Sequence, residues 1–103
     1  MIFHIAERAY WDEATRSGTY RRSTRGRSLE EEGFIHCADE HQVPGVAAAF
    51  FAGCSDLLLL VIDPAKVSAE LRREQPAGTD QHFPHIYGPL NVDAVVEARP
   101  FPA

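Results

Sequence analysis

The sequence predicts a single mixed α+β domain over residues 1–103, and three features predict it. Strand-like and helix-like segments follow one another as strand, helix, loop, strand, helix and then several strands, an order that suits a mixed sheet better than a doubly wound parallel one. A continuous aliphatic run, Leu57 to Ile62, reads as a strand buried on both faces and so as the centre of the sheet. Three short apolar segments each carry an imidazole: His4 near the start, His36 within Gly33–Ala38, and His85 within Phe83–Gly88.

Met1 to Ile5 reads as the first strand, and Glu7 to Arg16 as a short helix whose apolar side is Ala9, Tyr10, Trp11 and Ala14, stopped by Gly18. Ser17 to Arg27 is polar and arginine-rich, with Tyr20 its large aromatic, and reads as a loop with a brief extended piece. Ser28 followed by Glu31 is a capping-box pattern, so Leu29 to Glu32 makes one helical turn that Gly33 ends, delivering the chain into the Phe34 strand. Asp39 followed by Gln42 repeats the signal. Val43, Val46, Ala47, Phe50 and Phe51 then form the apolar stripe of a second helix that begins near Val43, because Pro44 is tolerated at a helix start, and closes by Gly53. After the Leu57–Ile62 strand, Val67 to Glu74 reads as a strand, Gln75 to Gln81 as a Pro- and Gly-containing loop, and Ala94 to Phe101 as the closing strand.

At 103 residues there is room for one core. Apolar residues make up 45% and charged residues 24%, ordinary globular usage that excludes disordered and fibrous classes. The formal charge of -5 argues against a duplex nucleic-acid partner, although Arg16, Arg21, Arg22, Arg25 and Arg27 concentrate positive charge in one stretch. Cys37 and Cys54 form neither a C-x-x-C pair nor a disulfide framework, which leads to the expectation of a reducing cytoplasm. No signal-like segment opens the chain and no run is long enough to span a bilayer, so a soluble protein without a membrane partner is expected.

Strand alternation assigns faces to the histidine segments. Phe34, His36 and Ala38 share one face, opposite Ile35 and Cys37; Phe83, His85 and Tyr87 share another, opposite Pro84 and Ile86; Ile2 and His4 point the same way. A single strand histidine is more often structural than chemical. Three in comparable positions suggest a shared cleft suited to proton transfer or polar ligand contacts. Tyr87 reads either as a stacking residue or as strand packing, and Glu74 either as a carboxylate approaching the cluster or as a solvated strand end. Cys37 reads as core, and His41 and His82 as exposed. The sequence carries no usual zinc spacing, no G-x-S-x-G, no P-loop and no G-x-G-x-x-G, so no metal is expected.

His4 in the first strand, the segment Gly33-Phe34-Ile35-His36-Cys37-Ala38, and the segment Phe83-Pro84-His85-Ile86-Tyr87-Gly88-Pro89-Leu90 together resemble a small bacterial family classed as domain of unknown function 952, over nearly the whole chain. The resemblance implies the fold of the ADP-ribosyltransferases: a small mixed split sheet with two main helices, parted around a cleft that holds nicotinamide dinucleotide. It implies NAD or an ADP-ribose-like nucleotide as the small-molecule ligand, with transfer or cleavage at the glycosidic bond. By that analogy His36 and His85 bind the ligand or shuttle protons, while Glu74, across the cleft from the histidines, stabilises the cationic sugar. His4 holds ribose or base, Tyr87 stacks, Tyr20 and Arg22 contribute ligand contacts, and the arginines of the Arg21 to Arg27 loop meet the pyrophosphate. Two positions depart from the family pattern: Ala38 stands where a hydroxyl residue is expected and Arg73 where an aromatic usually precedes the glutamate. Two other readings stay open, a non-catalytic nucleotide-binding or protein-interaction module and a metal-dependent hydrolase using His4, His36 and His85.

Overall fold

A computed structural model describes residues 1–102. The aliphatic run forms β6 (Leu57–Ile62), the middle strand of a three-stranded antiparallel sheet flanked by β1 (Ile2–Glu7) and β10 (Val95–Phe101). Every residue of β6 is buried. Leu58, Leu60 and Ile62 join one apolar cluster with Ile2, Ala6, Trp11, Ile35 and Ile86, and Leu57, Leu59 and Val61 join a second with Phe3, Ile5, Val43 and Phe51. A strand covered on both sides needs no polar alternation, which is why it reads as a continuous run.

A second antiparallel sheet has the order β5 (Ile35–His36), β8 (Phe83–Tyr87), β7 (Glu70–Glu74), with His36 directly opposite His85 and Arg72 opposite His85 on the other side. Among the described residues one backbone bridge joins the two sheets, Phe3 with Ala38, where each amide donates to the other's carbonyl at 2.8 Å. Beyond it β1 and β5 part. The domain is therefore mixed α+β, built of several small sheets and few helices.

Helix α1 (Arg8–Ser17) ends at Gly18, whose φ of 93° is left-handed and whose N–H reaches the Ala14 carbonyl at 2.7 Å. The expected loop that follows is largely extended instead. Thr19–Tyr20 forms β2, paired with β9 (Leu90–Asn91), and Arg22–Thr24 (β3) pairs with Arg27–Ser28 (β4) in a hairpin. Polar residues mask these strands because one side of each faces solvent. The one-turn helix α2 (Leu29–Glu32) carries both halves of its capping box: Ser28 N–H donates to Glu31 at 2.8 Å, and Glu31 N–H donates to the Ser28 hydroxyl at 3.2 Å. Helix α3 (Val43–Phe50) holds Pro44 in its first turn and lays Val43 against the second cluster. Phe50, expected in that apolar stripe, is instead 55% exposed, since the helix ends there and Phe51 takes the buried position.

Candidate functional site

Where β1 and β5 separate, a cleft of about 580 Å³ opens between the sheets, roofed by α3 and the β3–β4 hairpin. His4, His36 and His85 all line it, as do Glu32, Arg25, Arg27, Phe50 and Phe83. Their roles in the fold differ.

His4 is 3% exposed and spans the parting of the sheets. Its Nδ1 lies 2.6 Å from the His36 carbonyl oxygen and its Nε2 lies 2.8 Å from the Tyr20 hydroxyl. A carbonyl only accepts, so the proton sits on Nδ1 and Nε2 accepts from Tyr20. The imidazole thus satisfies a carbonyl that a neighbouring strand would otherwise have taken. Burial lowers its pKa from 6.5 to about 4, keeping the ring neutral. Both nitrogens are used inside the protein, which leaves none to hold the ribose or base expected from the sequence.

His36 and His85 sit side by side on the cleft-lining face of the second sheet, 5.4 Å between ring centroids and inclined at 69°. Phe34 stacks on His85 at 4.2 Å and lies 4.6 Å from His36, so one apolar ring fixes both imidazoles. Each histidine has a carboxylate behind it. His85 Nδ1 donates to Glu74 at 2.7 Å, and His36 Nε2 lies 3.2 Å from Glu32, one α2 turn upstream. The His36 pKa is lowered chiefly by burial, opposed by its bond to Glu32 and reinforced by nearby His85. The remaining ring nitrogens, His85 Nε2 and His36 Nδ1, have no hydrogen-bond partner among the described residues.

Glu74 is not across the cleft from the histidines. It stands on β7 beside His85, where it also accepts from the Tyr87 hydroxyl, and it does not line the cleft. The antiparallel pairing of β7 with β8 explains this, because it puts Glu74 on the face that bears His85 and Tyr87. Those two bonds, Tyr87 first and His85 second, hold the Glu74 carboxyl below its ordinary range. Tyr87 packs its ring 5.3 Å from Phe34 and 4.3 Å from the Arg72 guanidinium, outside the cleft lining. Tyr20 lies on β2, not in a loop, and is 2% exposed with its hydroxyl on His4; burial pushes its pKa well up. Arg22 covers the Tyr10 ring at 4.0 Å, its buried Nε is without a hydrogen-bond partner among the described residues, and neither it nor Tyr20 reaches the cleft.

One cleft residue, Glu32, escapes the sequence reading, whereas Arg25 and Arg27 belong to the arginine-rich stretch from which pyrophosphate contacts are expected. Glu32 is the carboxylate in the lining, and its four-residue spacing to His36 was a usable signal, hidden by Gly33 turning the chain between them. Arg25 and Arg27 come from the hairpin, and Arg27 approaches Glu32 at 3.6 Å. The two departures from the family pattern also find places. Ala38 forms the bridge with Phe3, and Arg73 makes a two-pronged pair with Asp39 at 2.9 and 3.1 Å that ties β7 to the end of β5. Cys37 is buried in the main cluster with its thiol pKa pushed up by burial, and His41 and His82 are exposed. Among the described residues no group of three or more His, Cys, Asp or Glu is arranged to hold a metal ion. No described helix is long and apolar enough to cross a membrane.

Fold and site define a small mixed α+β protein with a histidine-lined cleft at the parting of two sheets. The family described as Protein of unknown function (DUF952) matches residues 5–98, and the chain belongs to it. It is similar to the crystal structure of protein CC0527 from Caulobacter crescentus, with 32% identity and a TM-score of 0.84 over 96% of this chain and 83% of that one. The solution structure of CC0527 gives a TM-score of 0.78 over 96% of this chain and 82% of that one, again at 32% identity. No curated protein matches the sequence.

Proposed function

We propose that the cleft binds NAD or an ADP-ribose-like nucleotide. The observation that carries this reading is the set of side chains sharing one cavity. Arg25 and Arg27 suit phosphate oxygens, His36 and His85 suit hydroxyl and phosphoryl oxygens, and Val46, Phe50 and Phe83 offer apolar surface to a base. A volume of about 580 Å³ fits the range of roughly 300–1,000 Å³ usual for small-molecule sites. Two small sheets parted around a cleft also support a likeness to the ADP-ribosyltransferases. A cytoplasmic location goes with it, since Cys37 and Cys54 are both free thiols.

Cleavage of a glycosidic bond to nicotinamide would place a cationic sugar in the cleft, and that cation needs a carboxylate facing it. Glu32 lines the cleft and Glu74 does not, so Glu32 takes the charge-stabilising role in this reading. The test is a thermal-shift titration of the full chain with NAD, ADP-ribose and AMP. A ligand at about 100 times its Kd stabilises the native state by about 2.7 kcal/mol, a readily measured rise in Tm. No rise with any of the three at millimolar concentration rules out nucleotide binding. Nicotinamide release by wild type and Glu32→Gln then decides the glycosidic step.

A further inference from the structure

We infer that His36 and His85 form a proton-transfer pair that hydrolyses a nucleoside phosphodiester, an activity that rests on the nucleotide reading but concerns a phosphorus–oxygen bond. The geometry of the two rings carries it. Each imidazole is backed by a carboxylate on one nitrogen, Glu32 for His36 and Glu74 for His85, and each keeps its other nitrogen without a protein partner. The rings lie 5.4 Å apart in the same cleft, close enough for both to reach oxygens of one phosphoryl group. Phe34 packs on both and holds their relative orientation.

The surroundings of the two rings differ, as an acid and a base require. His85 is 5% exposed and its Nδ1 meets a carboxylate at 2.7 Å, so positive charge on this ring is directly paired. His36 has the looser 3.2 Å contact with Glu32, which Arg27 also approaches, and its burial favours the neutral ring. The charged and titratable groups around the pair are Glu32, Arg27 and His85 near His36, with His4 reaching its carbonyl, and Glu74, Tyr87, Arg72 and His36 near His85.

In the step, neutral His36 takes a proton from water on Nδ1 as the water oxygen bonds to phosphorus. One ester P–O bond breaks, and its electron pair goes to the leaving sugar oxygen. That oxygen receives the Nε2 proton of the His85 imidazolium, giving a phosphomonoester and a free hydroxyl. Exchange with solvent returns the pair to its starting protonation. Arg25 and Arg27 balance charge on the non-bridging oxygens.

The experiment uses the full chain with adenosine 2′,3′-cyclic phosphate. Ring opening is followed by phosphorus NMR from pH 4 to 9, and ADP-ribose affinity is measured in parallel by calorimetry. We expect wild type to open the ring with a bell-shaped pH–rate profile, and His36→Asn and His85→Asn each to lose about 10²-fold or more in rate at saturating substrate, a loss that exceeds whatever weakening calorimetry shows in their ADP-ribose affinity. His36 is partly exposed, so its variant keeps the fold even where His85→Asn destabilises the protein. ADP-ribose binding without ring opening overturns the inference and leaves the nucleotide reading intact. Ring opening without ADP-ribose binding overturns the reading instead, and absence of both overturns both. Full activity in either variant refutes the pair.

Discussion

The imidazole of His4 donates to the carbonyl oxygen of His36 across the line where the two sheets part, 2.6 Å between heavy atoms. This contact closes a gap in the backbone ladder with a side chain. Replacing His4 by Ala strands the His36 carbonyl and the Tyr20 hydroxyl in a buried setting. Each orphaned group costs about 1–3 kcal/mol, so the expected loss is several kcal/mol, enough to lower Tm by 10 °C or more in a domain of this size. A melting curve for His4→Ala within 2 °C of wild type would show that the plug is dispensable.

The same residue sets an acid limit on stability. Its folded pKa, about 4, lies below the unfolded 6.5, so in that interval the unfolded chain binds a proton that the folded one does not. His4 therefore costs nothing above pH 6.5, and stability falls as pH drops from 6.5 toward 4. The difference amounts to roughly 2–4 kcal/mol. Urea unfolding from pH 7.5 to 4 should show this loss in wild type and a flatter profile in His4→Gln.

Tyr20→Phe separates packing from ligand contact. It removes the partner of His4 Nε2 and is expected to cost about 1–2 kcal/mol, with nucleotide affinity unchanged because Tyr20 lies behind His4 and outside the cleft. A tenfold weaker Kd with unchanged Tm would reverse that assignment.

Phe50 and Phe51 are adjacent yet should respond oppositely to truncation. Phe51 is 5% exposed, and Phe51→Ala should cost about 3–5 kcal/mol. Phe50 is 55% exposed at the cleft, and Phe50→Ala should change stability by less than about 1 kcal/mol. Its effect should appear in ligand affinity instead. Equal destabilisation by both would contradict the exposed position of Phe50.

Arg27→Ala should weaken binding of a phosphate-bearing ligand about tenfold at low salt, with the difference shrinking as ionic strength rises. Because the Arg27 side chain is 58% exposed, Tm should hardly move. Salt-independent affinity in wild type would remove this arginine from the phosphate contacts.

Much of the fold was legible because it rests on local chemistry. The aliphatic run of β6, the capping box at Ser28 and the stop at Gly18 each state their structure within a few residues. The faces of His36 and His85 followed from alternation alone. Partnerships across strands were not legible. Glu74 reads in sequence as a residue near His85, and only the β7–β8 register puts it on the same face, bonded to that ring. Tyr20 sits in a polar, arginine-rich stretch that hides a strand, and its burial depends on packing against His4 and Trp11 from distant positions. Phe50 satisfied helical spacing, but spacing does not reveal where a helix stops.

The single bridge between Phe3 and Ala38 has a mechanical consequence. Adjacent strands normally transmit twist to each other through many rungs, so tilting one wall of a cleft strains the other. Here a lone rung and one imidazole plug are the hydrogen-bonded links from β1 to β5 among the described residues, and the rest of the coupling between the two sheets is apolar packing of Ile35 and Ile86 against Leu58, Leu60 and Ile62. The exposed positions of β7 can accept new side chains while the β6 ladder stays in register, whereas Ile86 of β8 is fully buried against that ladder. Change in the second sheet is thereby tolerated along its solvent-facing edge and resisted where that sheet packs on β6.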